Sequence, residues 1–528
     1  MVDKKQFFNI LMLFIVISLF FRIDFRFKTS VECCSDDYDY YAHAETIALD
    51  QDFDYSNQLP DLHPFTYENE GKRSPVGFPG AGIMASPFLF IGNYLDVNFN
   101  LNTGSEVLNY KLLLYSMSPI FYFFLSFIIQ FKSLVRLGFD VNKYKLLMLI
   151  SGSGISYFAF ERFSMTHVYE MFIISLLIWA LIGFYKYNNS LSGFLIPPIL
   201  MFSFLIRMSN FYVFIIPLII RSIIKEKFHK SNNLLNNYYF ILSSVATFLS
   251  YNFISNEIYG KLIINPQEVY GTDVTVGSVL SGSIGNLITQ SLSDFFLILF
   301  GNEFGIFWVS PIIFAGFILL LFDFKNINKL STFLLLICFA QNFAIILIWR
   351  STAASYGFRY LYSLVPLAVL IFYQYKSSSN SKYFDLVFYM SIFSNLSILF
   401  FETTEQTQLS MIEIENSFGI IRNYSEPEYV TGIFKSFFEL NSLLIIFTTS
   451  LIGVIFFKLL LLIFDISLIL EKLSQLGLPT KNEDFLLYLD NLSLISINKL
   501  VLIILPIFLF SVYVVTILKN TTYRSKDI

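Results

Sequence analysis

The sequence predicts an all-α, polytopic membrane protein, and three observations carry that prediction. The 528 residues are 55% hydrophobic and only 14% charged, against about 25% charged in an average soluble domain. Mean hydropathy is +0.62. Apolar runs of about twenty residues recur along the chain without alternating polar and apolar positions, so they read as helices and not as barrel strands. Lipid offers the backbone no hydrogen bonds, which leaves helices to fill such runs. The 63 Phe and 32 Tyr read as lipid-facing bulk and interfacial belts. A net charge of −4, with no basic stripe interleaved with aromatics, argues against a nucleic-acid partner.

The first apolar run, Phe7 to Phe21, follows Lys4 and Lys5. Its flank, FRIDFRFK, lacks a small-x-small cleavage pattern, so an uncleaved anchor at 7–22 is expected and not a signal peptide. Further membrane helices are expected near 110–131, 144–160, 167–187, 191–206, 209–224, 238–258, 304–322, 331–349, 357–375, 384–401, 440–463 and 499–518, roughly thirteen in all. Cytoplasmic loops collect Lys and Arg, which assigns Lys132 to Lys145, Arg221 to Lys230, Lys325 to Lys329 and Lys376 to Lys382 to the inside, with the N-terminus. The long, base-poor segments 23–109, 259–303 and 402–439 then lie outside. Two apolar patches within them, Gly80 to Tyr94 and Asn286 to Phe300, are too short to span and are expected to lie in the interface. Segment 464–498 is polar, mixed in charge and on the inside. The three cysteines, Cys33, Cys34 and Cys338, make neither a disulfide framework nor a zinc pattern.

The most unusual stretch runs from Glu32 to Pro87. Eleven of the 39 acids lie between Glu32 and Glu70, and no Lys or Arg interrupts them. Asp36, Asp37 and Asp39 crowd together in SDDYDYYAH, just past the first anchor. A transferase that attacks with a hydroxyl needs a base for its proton, and an outward carboxylate close to the bilayer suits a lipid-borne substrate. Lys72 and Arg73 are the first bases after the acidic run, followed by Pro75, Gly77, Pro79 and Gly80. Proline fixes the backbone there and glycine lets it approach a ligand. Cations in such a place could hold a phosphate leaving group or snorkel to headgroups. Arg207 and Arg359 stand at outer helix ends, where a cation near the membrane needs a partner. A lipid phosphate would serve, as would a carboxylate such as Glu170 or Glu303. His167, at an outer helix start, is a substrate-binding or structural residue, and Tyr40 and Tyr41 either stack on sugar or pack the loop.

Ser35-Asp36, three residues, then Tyr40-Tyr41-Ala42, followed by LDQDFDYSN and RSPVGFPGAGIMASPF, resembles the first outer loop of the GT-C-fold glycosyltransferases. These are polytopic enzymes that use polyprenyl-phosphate sugars, among them protein O-mannosyltransferases and the lipid A aminoarabinose transferase. MTHVYEMF (Met165 to Phe172) resembles the family's His-bearing start of a middle helix, and LIRMSNFYVFIIPL (Leu205 to Leu218) its Arg-bearing turn. LFGNEFGIFWVSPII (Leu299 to Ile313) resembles its approach to a late helix, and WRSTAASYGFRYLYSLVP (Trp349 to Pro366) its Gly-x-Arg motif before a proline.

The resemblance covers about residues 1–375 and implies a GT-C fold there, with 376–528 as a C-terminal membrane region. It implies a polyprenyl-phosphate sugar donor, a lipid, glycan or protein acceptor, inversion, and a site on the periplasmic or extracellular side of a bacterial plasma membrane. Asp36 falls at the family's catalytic acid, as base or as ligand of a metal base, with Asp37 and Asp39 able to share the work. Arg73 falls near the donor phosphate. Gly71 and Lys72 stand where some relatives carry a Glu, so a divalent metal is possible but not required. An O-antigen polymerase or ligase would carry its large loop late. A transporter or flippase would show charges at mid-membrane and a repeat between halves, and a structural scaffold would leave the acid-then-base loop without a role.

Overall fold

A computed structural model describes residues 35–59, 66–99, 109–160, 162–228, 232–270, 284–301, 305–322, 330–349, 357–378, 383–400, 411–416, 419–424, 451–475 and 483–494, with isolated positions besides. The expected anchor at 7–22, most of the helix at 499–518, Cys33, Cys34 and Glu303 lie outside the described residues. The fold is mostly helical. Among the described residues, three helices are long and apolar enough to cross a membrane: Tyr110–Arg136, His167–Tyr187 and Leu330–Leu347. Shorter apolar helices accompany them, Ser190–Ile206, Pro311–Phe322 and Phe384–Ile398. This architecture is compatible with a membrane protein.

The chain enters as α1 (Ser35–Glu45), continues through a π-helical turn (Thr46–Asp50), and forms a hairpin of β1 (Thr66–Asn69) and β2 (Lys72–Pro75). Then come α2 (Gly80–Phe99), α3 (Tyr110–Arg136), α4 (Lys143–Ser151), α5 (Ile155–Phe160), α6 (His167–Tyr187) and α7 (Ser190–Ile206). A 3-10 turn (Phe211–Ile215) leads into α8 (Ile216–Phe228), followed by α9 (Tyr238–Tyr259), α10 (Ile284–Phe300), α11 (Pro311–Phe322) and α12 (Leu330–Trp349). A second 3-10 turn (Arg359–Leu364) opens α13 (Val365–Ser378), and α14 (Tyr383–Phe400) closes the bundle. Local chemistry sets these starts. Asn109, Asn142, Asn189 and Asn237 each accept backbone N–H groups of the helix they precede, which satisfies donors no helix can satisfy internally. Pro217, Pro311 and Pro366 sit in first turns, where a missing N–H costs nothing.

At 27 residues, α3 is about 40 Å long, longer than the ~30 Å hydrocarbon core. α2 runs antiparallel to its first half. The backbone N–H groups of Tyr110 and Lys111 each donate to Asp96 at 2.8 Å, and Tyr122 donates to the Met84 carbonyl at 3.2 Å. The apolar patch from Gly80 is therefore a longer helix that leans on α3 and leaves Phe90, Ile91, Tyr94 and Val97 exposed. α10 packs Phe295 against Phe317 and Phe343, at 6.0 and 5.3 Å between ring centroids, with Leu292, Phe296, Leu297 and Phe300 exposed. α6 is almost wholly buried at the centre.

The span expected at 144–160 is broken into α4 and α5 by Gly152-Ser153-Gly154. Gly154 has φ +81°, and the Tyr362 ring leaves no room for a Cβ there. The break lets the chain turn so that Arg162 and Ser164 face α1.

The bundle has two unlike ends. One gathers α1, the hairpin and the starts of α3 and α6. At the other, Lys186 donates to the Arg136 carbonyl at 2.6 Å, Lys145 pairs with Asp385 at 3.1 Å, and Ser331 donates to Glu226 at 3.3 Å. C-terminal to the bundle, β3 (Met411–Asn416) and β4 (Gly419–Tyr424) form a hairpin. α15 (Leu451–Leu461), α16 (Ile466–Gln475) and α17 (Glu483–Leu494) share a small core of Val454, Phe457, Ile469, Leu489 and Leu492. The mixed-charge segment from 464 is thus largely helical: Ile466, Ile469, Leu470 and Leu473 recur at helical spacing and cover that core.

Candidate functional site

α1 presents a different pair of side chains in each of three directions, because residues four apart share a helix face. Asp39 and His43 face the loop after β2. Asp39 Oδ2 accepts the Gly77 N–H at 2.8 Å, and His43 Nε2 donates to the Gly77 carbonyl at 2.8 Å. A carbonyl only accepts, so His43 carries its proton on Nε2, and Nδ1 accepts from the Tyr55 hydroxyl at 2.7 Å. One peptide unit is held at both ends. A Cβ on Gly77 would meet Asp39 Cβ at 2.9 Å and Tyr40 Cε1 at 3.0 Å, so glycine is required by close approach. Burial pushes the Asp39 carboxyl up to about 8; the Gly77 and Val76 N–H groups oppose this and the Asp36 charge adds to it. Burial holds His43 down at about 4, although the Gly77 carbonyl favours its proton.

Asp37 and Tyr41 face α3 and the turn after α5. Asp37 is buried in an ion pair with Arg162, whose Nε and Nη2 lie 3.1 and 2.9 Å from Oδ2, while Ser164 donates to Oδ1 at 2.5 Å. Tyr41 donates to Glu45 at 3.3 Å, lies edge-on to Tyr115 and sits under Lys111, which itself pairs with Glu45 at 3.0 Å. Burial pushes the Tyr41 phenol up to about 12, with the Glu45 charge adding to it.

Asp36 and Tyr40 face the arginines. Asp36 Oδ2 lies 3.0 Å from Arg359 Nη2, and its side chain is 42% exposed, unlike the buried Asp37 and Asp39. Burial alone would raise its carboxyl. The charges of Arg359, Arg162 and Arg207, with the Arg359 hydrogen bond, instead hold it below the ordinary carboxylate value. Tyr40 is buried beside Gly77 and close enough to Arg207 and Arg359 to act on their charges.

The three arginines come from three separate turns. Arg207, at the end of α7, lies 3.0 Å from Glu170 Oε1 and donates to Thr166 at 3.1 Å. Of the two kinds of partner the sequence left open for it, the carboxylate Glu170 is the one in place. Arg207 and Arg359 flank the Tyr360 ring at 4.9 and 5.4 Å. His167 is fully buried against Phe158 and Tyr362, its Nδ1 4.0 Å from Glu170 Oε1, and neither ring nitrogen has a hydrogen-bond partner among the described residues.

The two bases of the first loop stand elsewhere. Lys72 donates to the carbonyls of Asn256 and Glu257 at 2.9 and 2.8 Å, at the end of α9, where a cation complements the helix dipole. Arg73 donates to the Leu59 carbonyl at 3.3 Å and lies 3.5 Å from Glu68. The structure therefore brings together Asp36, Asp37, Asp39, Tyr40, His167, Arg207 and Arg359. The residues that sequence reasoning missed are Arg162, Ser164, His43, Tyr55 and the role of Gly77. Arg162 had a signal, since a cation at a base-poor helix end needs a partner. Among the described residues no three His, Cys, Asp or Glu side chains converge as metal ligands.

Searched against known proteins, the chain matches no family model, no curated protein and no solved structure.

Proposed function

We propose that the protein is an integral-membrane glycosyltransferase that moves a sugar from a polyprenyl-phosphate donor to a hydroxyl of a lipid, glycan or protein. The observation that carries this reading is the Asp36–Arg359 pair: an ionised, half-exposed carboxylate 3.0 Å from a guanidinium, with Arg162 and Arg207 beside it. The reading includes a GT-C fold of roughly thirteen spans and a site outside a bacterial plasma membrane. The cation-rich far end of the bundle supports that orientation, since Lys and Arg collect on the cytoplasmic side.

In the reaction, Asp36 takes the proton of the acceptor hydroxyl as that oxygen attacks the anomeric carbon. The bond from this carbon to the phosphate oxygen breaks, and its electron pair leaves with the phosphate, whose charge the arginines stabilise. A phosphate leaves without the acid that glycoside hydrolysis requires. Asp36 is favoured over its neighbours because Arg162 and Ser164 occupy both oxygens of Asp37, while Asp39 is buried and protonated near neutral pH. Lys72 and Arg73 belong in this reading to the wall of the site, and Arg359 takes the donor phosphate. The charged residues lie toward the ends of the bundle helices, which favours an enzyme at one face over a transporter with charges at mid-depth.

The test is sugar transfer from a labelled polyprenyl-phosphate donor in purified membranes. Asp36→Asn should lose on the order of 10²–10⁴-fold in rate at wild-type expression, and full activity in that variant sinks the reading. A cysteine at position 50 should react with an impermeant reagent from outside the cell; reaction from the cytoplasm alone reverses the topology.

A further inference from the structure

We propose that Asp36 is a conditional base: Arg359 occupies it in the free protein, and a donor phosphate that draws Arg359 away releases it to accept a proton. This rests on the donor chemistry of the preceding subsection and adds an order of events to it.

The argument comes from how differently the three arginines are satisfied. Arg162 places two nitrogens on Asp37, and both partners are buried, with side chains 4% and 1% exposed. Arg207 divides its two terminal nitrogens between Glu170 and Thr166. Among the described residues, Arg359 has Asp36 on Nη2, the Met165 sulfur at 3.6 Å from Nη1, and a buried Nε with no acceptor. A guanidinium carries five N–H donors, and a buried donor left unmade is costly. Arg359 is thus a buried cation with donor capacity in reserve. A phosphate, with several oxygens in fork geometry, matches that reserve better than one carboxylate oxygen does.

The carboxylates differ as well. Taking Arg162 from Asp37, or Arg207 from Glu170, would strand a buried charge, which is costly. Taking Arg359 from Asp36 costs less, because Asp36 is partly exposed to water and keeps the charges of Arg162 and Arg207 beside it. Exchange is therefore permitted at this one pair of the three. The groups that face Asp36 are Arg359 from the second 3-10 turn, Arg162 after α5, Arg207 after α7, and Asp39 and Tyr40 on its own helix. With Arg359 engaged by phosphate, its charge and hydrogen bond no longer lower Asp36, and the new anion beside it acts against the remaining charges of Arg162 and Arg207. Asp36 then becomes more basic at the moment a donor is present to react.

The experiment is an infrared difference titration of the purified full-length protein, with Asp36→Asn assigning the carboxyl band and radiolabelled lipid measuring binding in parallel. With a polyprenyl monophosphate as probe, the Asp36 midpoint should rise by one pH unit or more. In Arg359→Gln the midpoint should already be raised without lipid and should not respond to it. Arg359→Lys, checked by thermal melting, keeps the charge and should show a smaller rise on lipid addition. Bound lipid with an unmoved or lowered midpoint overturns the exchange while leaving the donor reading intact. Failure of the lipid to bind overturns the donor reading and the exchange with it. A rise with inorganic phosphate supports phosphate as the recognised group, whereas an equal rise with phosphatidylglycerol vesicles assigns the effect to bulk headgroups and overturns it.

Discussion

At one end of the bundle, guanidiniums meet carboxylates; at the other, cations rest on aromatic rings. Arg162, Arg207 and Arg359 are each within 3.0 Å of an acid. At the far end Arg136 lies over Trp179, Lys186 over Phe228 and Lys227 over Phe139, at 4.9, 3.9 and 3.8 Å. A ring attracts a cation without neutralising it, so the far end keeps most of its positive charge, the exposed Lys145–Asp385 pair apart, while the near end cancels most of its own. Of the acidic run in the first loop, Asp36, Asp37, Glu45 and Glu68 each meet a cation in space, while Asp39, Asp50, Asp52 and Asp54 accept from backbone or amide N–H groups. Charge counted along a chain and charge summed over a site are different quantities.

The two ends should respond differently to loss of one partner. Arg162→Ala strands the buried Asp37 and should cost about 3–5 kcal/mol, read as a large fall in thermal midpoint in detergent. A wild-type melt would show that Asp37 is solvated after all. Gly77→Ala drives a methyl into Asp39 and Tyr40 and should cost about 1–3 kcal/mol, with transfer activity falling as α1 shifts.

A pH titration sharpens the contrast. Asp39 has its folded value raised, so its contribution to stability is full below the ordinary carboxylate range and declines as pH rises toward about 8. Asp39→Asn should fold and flatten that decline in melts between pH 4 and 8; an unchanged slope would assign the trend to another group. His43, held down at about 4, acts the opposite way, its contribution being present above the usual imidazole value and lost as pH falls through 4. The smallest effect is expected at the far end. Lys145→Ala breaks a pair whose side chains are 33% and 58% exposed and should cost at most about 1 kcal/mol. A loss equal to that of Arg162→Ala would erase the distinction between the ends.

The helices were legible because an apolar run is a local property. The expected span at 167–187 is α6 itself, and 238–258 differs from α9 by one residue. The break between α4 and α5 has a local sign in Gly152-Ser153-Gly154, but the surrounding apolar run reads as one span, and the Tyr362 ring that leaves Gly154 no room for a Cβ lies far along the chain. Asp36, Asp37 and Asp39 are the same letter in one short run, and only the partners brought by other turns separate them. Lys72 followed the acids as a phosphate ligand would, yet its acceptors are carbonyls 184 and 185 residues away. His43 is one residue in a polar run, and nothing nearby in sequence announces the Gly77 peptide it holds.

The span of these contacts bears on how the protein is made. A chain is synthesised from its N-terminus, and domains generally fold in that order. Here the first loop is translated before anything that completes it. Asp37 waits 125 residues for Arg162, and Lys72 waits 184 for Asn256. Asp36 waits roughly three hundred residues for Arg359, on the order of tens of seconds at ordinary elongation rates. A nascent chain cut short before the second 3-10 turn would carry its acids, its hairpin clamp and a formed α6, but no cation on Asp36.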